Sequence, residues 1–232
     1  MLCNSLTTMP TNASLLSCLP ARRPLLAGLA AGVALAMLPQ FAAAQSSSWP
    51  DRAIRVIVPF PPSGATDLVA RVVAQKVSQE LGQTLVIDNR PGAGGTIGTA
   101  EAAKASADGY TLLFTTSSTH AISPHLMPKL AYRADKDFTP IAHVADAASV
   151  LLVTNALPVK TVQELISYAK ANPGKLNYAT SGNGTIVHLN TAAFAAQAGI
   201  TLTHVPYKGT AQSISDLATG QVHMLFDSIP TG

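Results

Sequence analysis

Residues Ile54 to Leu81 set the terms for the rest of the chain. Ile54-Arg55-Val56-Ile57-Val58 is a short apolar run rich in β-branched residues without strict alternation. A strand buried on both faces of a parallel sheet reads this way. A proline-rich elbow, Pro59-Phe60-Pro61-Pro62, ends the run, and Ser63-Gly64-Ala65-Thr66 comes next. Leu68, Val69, Val72, Val73, Val77 and Leu81 then recur at helical spacing from about Asp67, with Gly82 as a C-terminal cap. A strand therefore runs into a helix whose first amides face the strand's carboxyl end. Those amides lack intrahelical partners and carry about half a positive charge. Two readings are open: an ordinary βα connection, or a seat for a carboxylate or phosphate.

The design continues. Leu85-Val86-Ile87 reads as a second strand, Asp88 to Gly95 as a glycine-rich turn, and Ile97, Ala100, Ala103 and Lys104 as a helix. Tyr110 to Phe114 is a third strand. This β-α-β-α-β order predicts a parallel sheet with helices on both faces. The glycines do not spell a dinucleotide fingerprint, because Ile97 stands where the third glycine belongs and the turn comes after the second strand. They suit a tight turn and close helix packing instead, and no cofactor is expected. Thr115 to His125 is rich in hydroxyls and lies at the sheet edge where α/β proteins place ligands. It reads either as a wall of a site, with Ser118 and His120 as contacts, or as a solvated loop. His120 and His125 are five apart, which fits no helical metal pair, so no metal is expected.

Phe138 to Ile141 opens an extended stretch reaching Leu151-Leu152-Val153, read as a crossover between lobes. Thr161-Val162-Gln163-Glu164 is a capping box that starts a helix through Leu165, Ile166, Tyr168 and Ala169, ended at Asn172-Pro173-Gly174. Leu176 to Thr180 is a strand, and Ser181-Gly182-Asn183-Gly184-Thr185 leads into a helix carrying Val187, His188, Leu189, Ala192 and Phe194. The opening unit is thus repeated. Two such helix starts facing one cleft would each favour an anion by ~0.3–1 kcal/mol. Neither turn carries lysine or arginine, so backbone amides, hydroxyls and water would do the gripping. His188 reads as an added donor or as a core or capping histidine. A strand and turn at Leu202 to Gly209, a helix at Gln212–Thr219 and a strand at Val222–Asp227 finish the pattern. Asp227 reads as an acceptor for a ligand or for Tyr207, or as a cap for the next segment of chain.

The chain has 232 residues, 47% hydrophobic and 12% charged, enough for one large or two small lobes. Arg22-Arg23, the apolar run Leu25 to Leu38, and Ala42-Ala43-Ala44 before Gln45 read as an export signal over 1–44, cleaved near Ala44-Gln45. A retained anchor is the alternative. Both cysteines, Cys3 and Cys18, fall in this leader, so the exported chain would rely on its core alone. The formal net charge of +3 owes two of its 15 basic residues to the same leader. No basic block with interleaved aromatics occurs, which argues against a nucleic-acid partner.

Six segments in register carry a resemblance. They are Ile57-Val58-Pro59-Phe60 with Gly64-Ala65-Thr66-Asp67, Asn89 to Gly95, Thr119-His120-Ala121-Ile122, Tyr178-Ala179 with Ser181 to Gly184, Val205 to Gly209, and Gly220-Gln221-Val222 with Phe226-Asp227. Together they resemble the tripartite tricarboxylate transporter solute-binding receptors, the Bug or TctC proteins. The resemblance implies an α/β fold of the type II periplasmic binding protein kind. It has two lobes with mainly parallel sheets, here 45–142 and 143–232. It further implies a monomeric periplasmic receptor, not an enzyme, that closes on a small carboxylate and delivers it to membrane permease subunits. The ligand would be a di- or tricarboxylate, an acidic amino acid or an aromatic acid. Its implied contacts are Phe60, Ser63, Gly64, Ala65, Thr66 and Asp67 in one lobe, and Ser181, Gly182, Asn183, Gly184 and Thr185 in the other. Ser118, Tyr207 and Asp227 would complete the pocket, with His120 and His188 beside them. Ser63 departs from the family, which usually has a second glycine there. Family members also continue for several tens of residues, so the chain reads as truncated, with the C-terminal part of its lobes missing. Two other functions stay open: an exported hydrolase, which would lack G-x-S-x-G here, and a ligand sensor for a signalling system.

Overall fold

The computed structural model describes residues 49–229. The proposed export signal and both cysteines lie outside the described residues. β1 (Ile54–Val58) is the centre of a parallel sheet in the order β2 (Leu85–Asn89), β1, β3 (Thr111–Leu113). Its central place explains its composition, since Ile54, Ile57 and Val58 have no exposed surface. α1 (Ala65–Leu81) connects β1 to β2 and presses Ala70 and Ala74 onto the sheet before Gly82 ends it in the left-handed region. α2 (Thr96–Ala103) carries the chain back across β1 to β3. Arg55 on β1 reaches both Asp88 on β2 and Glu101 on α2, tying the three elements together.

A wide helical turn, Ser118–Ile122, and a short helix α3 (Ser123–Leu126) come next. Residues 138–148 then run without regular structure to β4 (Ser149–Val153). The second sheet has the order β4, β7 (Met224–Ser228), β5 (Asn177–Thr180), β6 (Thr203–Pro206). β5 pairs in parallel with β6 and β7, whereas β4 is antiparallel to β7. The sequence reading placed β4 at the end of a crossover and missed its pairing, which joins segments far apart in the chain.

α4 (Val162–Ala171) starts on the complete Thr161–Glu164 capping box. α5 (Ile186–Ala198) and α6 (Thr210–Ala218) are the remaining helices of this sheet. Alternation along the strands feeds two cores. Tyr178 and Met224 pack with Leu165, Ala169 and Leu176 on one face, while Ala179 and Leu225 pack with Leu217 and Val222 on the other. The two sheets share a plan: β1 lies between β2 and β3 as β5 lies between β6 and β7. In each, the chain reverses direction across the central strand, which puts a topological switch point at the carboxyl ends of β1 and β5.

Candidate ligand cleft

The turn after β1 is held from inside by Asp67. Its buried carboxylate accepts from the Ser63 amide at 2.9 Å, from Arg71 Nε at 2.9 Å and from Asn89 Nδ2 at 2.9 Å. Asn89 Nδ2 also donates to the Phe60 carbonyl at 3.0 Å, so a side chain from β2 pins the elbow. Burial alone would raise the Asp67 pKa, but the bonds from Arg71, Ser63 and Asn89 outweigh it and hold the group below the usual carboxylate range. Asp67 is the third residue of α1 and brings its own negative charge to that helix start. Gly64, the residue before the helix, supplies no side-chain cap.

The turn after β5 is held by hydroxyls and imidazoles. Thr180 Oγ1 accepts from the Gly182 amide at 3.2 Å, and Thr185 Oγ1 donates to the Gly182 carbonyl at 2.8 Å. His188 Nδ1 accepts from the Gly184 amide at 3.2 Å, and His204 Nε2 lies 2.6 Å from Thr180 Oγ1. The two imidazoles stack at 4.4 Å, and His204 stacks on Tyr178 at 4.9 Å. Burial, then the neighbouring His188, push the His204 pKa down. The α5 start carries no acidic residue in its first turn, and Thr185 makes no side-chain cap to it. Instead its first amide, that of Ile186, donates to Ser118 Oγ at 3.0 Å across 68 residues of sequence.

Both turns open on one cavity of about 300 Å³. Phe60, Gly64, Ala65, Thr66, Ser118, Ser181 and Asp227 line it, so these seven expected residues are brought together. The sequence reading missed Thr116, Lys208, Gly209, Gln212 and Ser228 on the same wall, as well as Ile186 and Val187 from the α5 start. Gly209 precedes α6, so a third helix begins beside the cavity. Lys208 adds to the cavity wall a cationic side chain that the two turns themselves lack. The signal was present in Pro206-Tyr207-Lys208-Gly209, which occupies the same place after β6 that the glycine turn occupies after β2. The lobes approach closely here. A Cβ on Gly209 would lie 2.4 Å from Pro61 Cγ, and one on Gly94 would lie 2.7 Å from the Asn183 carbonyl oxygen.

The other expected residues sit elsewhere. Gly182, Asn183 and Tyr207 line an adjoining cavity of about 370 Å³, which also touches Phe60, Ser181 and Lys208. Ser63, Asp67, Gly184, Thr185 and His188 do not line the 300 Å³ cavity; they hold the two turns in shape. His120 lines a separate cavity beside β3, where its ring meets Phe138 at 4.8 Å and its Nδ1 lies 2.9 Å from Thr119 Oγ1. The Tyr207 hydroxyl donates to Asp216 at 2.6 Å, not to Asp227. Burial and then Asp216 push the Tyr207 pKa up to about 12.

A family model described as "Tripartite tricarboxylate transporter family receptor" matches residues 69–231. Protein BugT of Bordetella pertussis is 38% identical over 200 residues, covering 86% of this chain and 61% of that protein. Rpa4515 of R. palustris, solved with adipate, is 42% identical with a TM-score of 0.77, covering 79% of this chain and 61% of that one. MatC (Rpa3494) from Rhodopseudomonas palustris, solved with bound malate, is 37% identical with a TM-score of 0.73, covering 78% and 62%. The chain spans about three fifths of the length of the curated relatives it matches. Its α/β fold with mainly parallel sheets is that of periplasmic binding proteins such as BugD, which superposes with a TM-score of 0.73 at 34% identity. With the family model spanning most of its length, the chain belongs to the tripartite tricarboxylate transporter receptors, the TctC or Bug family.

Proposed function

We propose that the chain is a periplasmic receptor that takes a small carboxylate between the starts of α1 and α5 and hands it to the membrane permease of a tripartite tricarboxylate transporter. The observation that carries this reading is the convergence of three helix starts and Lys208 on one cavity. First-turn amides and the cationic Lys208 on the wall favour an anionic guest, while the Asp227 carboxylate on the same wall suits a donor group of that guest. Phe60, Pro61, Ile186 and Val187 give the cavity apolar walls suited to a short carbon skeleton. Malate and adipate in two similar proteins support a dicarboxylate as the first class to try. Of the expected contacts, Phe60, Gly64, Ala65, Thr66, Ser118, Ser181 and Asp227 are proposed to meet the ligand. Ser63, Asp67, Gly184, Thr185 and His188 are proposed to act by shaping the turns.

Isothermal calorimetry against L-malate, adipate, citrate, L-aspartate and nicotinate tests the reading. One-to-one binding of at least one acid, unaccompanied by its chemical conversion, is the expected result. Heat from none of them, or turnover of a chromogenic ester lost in Ser181→Ala, would overturn it.

A further inference from the structure

Ser118 joins the two lobes at the place where the ligand would sit. It is 2% exposed and lies on the cavity wall. The backbone around it is fixed: Ser123 Oγ donates to the Ser118 carbonyl at 2.8 Å, and the Tyr132 hydroxyl donates to the Thr119 carbonyl at 2.6 Å. These bonds fix the backbone from which the Ser118 hydroxyl projects. Its oxygen accepts from the Ile186 amide of the opposite lobe. A serine hydroxyl has one proton to give, and an oxygen that accepts a bond from N–H turns that proton away from the helix. Hydrogen bonds in such a chain polarise one another, so the positive end of α5 strengthens the hydroxyl as a donor.

We infer that Ser118 is a positioning residue that couples ligand occupancy to lobe contact, accepting from the Ile186 amide on one side and donating to a ligand carboxylate on the other. The inference rests on the proposed carboxylate reading of the cleft. An open cleft would lack the Ile186 bond and so present a weaker, less oriented hydroxyl to the ligand. Ligand bound at Ser118 in turn favours the closed arrangement, because each bond reinforces the other.

The Ile186 amide proton can be removed by proline, whose ring carbon then takes that proton's place against Ser118 Oγ. Ile186 is the first residue of α5, where proline is well tolerated, and Thr185 before it has the extended backbone that proline requires. The test uses the full chain and calorimetry with L-malate and adipate. The variants are S118A, I186A, I186P, S118A/I186A and S118A/I186P, each checked for folding by circular dichroism and melting. Loss of the Ile186 side chain is common to I186A and I186P, so their difference reports the loss of the amide bond together with the ring carbon's contact with Ser118. S118A is expected to weaken binding about tenfold, and I186P to bind about tenfold more weakly than I186A. In the S118A background the proline and alanine variants should bind alike, since the amide has lost its partner.

Wild-type affinity in S118A, or an undiminished proline effect without Ser118, would overturn the inference while leaving the carboxylate reading intact. If S118A fails to fold, equal affinities of I186P and I186A overturn it alone. Wild-type protein that binds no carboxylate would overturn the reading of the cleft and the coupling with it.

Discussion

The turns after β1 and β5 solve one problem with different chemistry. In each, the third residue of the ensuing helix reaches back to an amide just before the helix: Asp67 to Ser63, and His188 to Gly184. In the first lobe that acceptor is a carboxylate neutralised by Arg71 and fixed by Asn89, so the turn is locked within its own lobe. In the second it is an imidazole stacked on a second imidazole, and the first amide of the helix is satisfied from the other lobe by Ser118. The first turn is a rigid wall. The second takes one bond from its partner lobe and is otherwise held by stacked imidazoles and hydroxyls.

Removing the anchors gives the sharpest contrast. Asp67→Ala leaves Asn89 and the Ser63 amide without their acceptor and should cost ~2–3 kcal/mol in urea unfolding, with an unchanged slope. The matching His188→Ala should cost only ~1 kcal/mol, because a single moderate bond and a partly exposed ring are lost. Equal losses would erase the distinction between the turns. Gly209→Val tests the contact between lobes without backbone strain, since Gly209 has an extended backbone with φ near 180°. Its side chain would strike Pro61, and ligand affinity should fall about tenfold to a hundredfold, in line with a packing cost of ~1–3 kcal/mol, while secondary structure by circular dichroism is retained.

Acid should act through the buried histidines before it reaches Asp67. His204, and away from the cleft His120 and His223, have pKa values pushed down by burial. A histidine depressed in the fold contributes stability above its unfolded value of about 6.5 and loses it as pH falls through the folded value. Asp67 is also depressed, but its contribution is lost only as pH falls below the ordinary carboxylate range. Thermal melts should therefore drop first below about pH 6.5, and again in stronger acid. His204→Asn should shrink the first drop and leave the second, whereas an unaltered first drop would locate the response elsewhere.

The elements were legible because their signals are local. β-branched runs, the Thr161–Glu164 box and Gly82 after the first helix mark their elements within a few residues, and the structure places elements close to those marks. The cleft was legible in part, since the repeated strand, small-residue turn and helix start is also a local pattern. What the sequence hid is what distant residues do to one another. Asp67 looks like a ligand contact until Asn89, 22 residues on, is seen to hold it inward. Nothing near Ser118 announces Ile186, and nothing near Tyr207 separates Asp216 from Asp227. Lys208 sits next to a recognised glycine turn, but only the reversal of the chain across β5 brings it to the cavity.

In the proposed complex one anion is shared by helix starts from both lobes. Amide chemical shifts tracked by ¹⁵N–¹H NMR while L-malate or adipate is added test it most directly. The largest changes are expected at Ala65 and Thr66 of α1 together with Val187 and His188 of α5, saturating at one common affinity. Changes confined to one lobe, or centred on the cavity around His120, would contradict it.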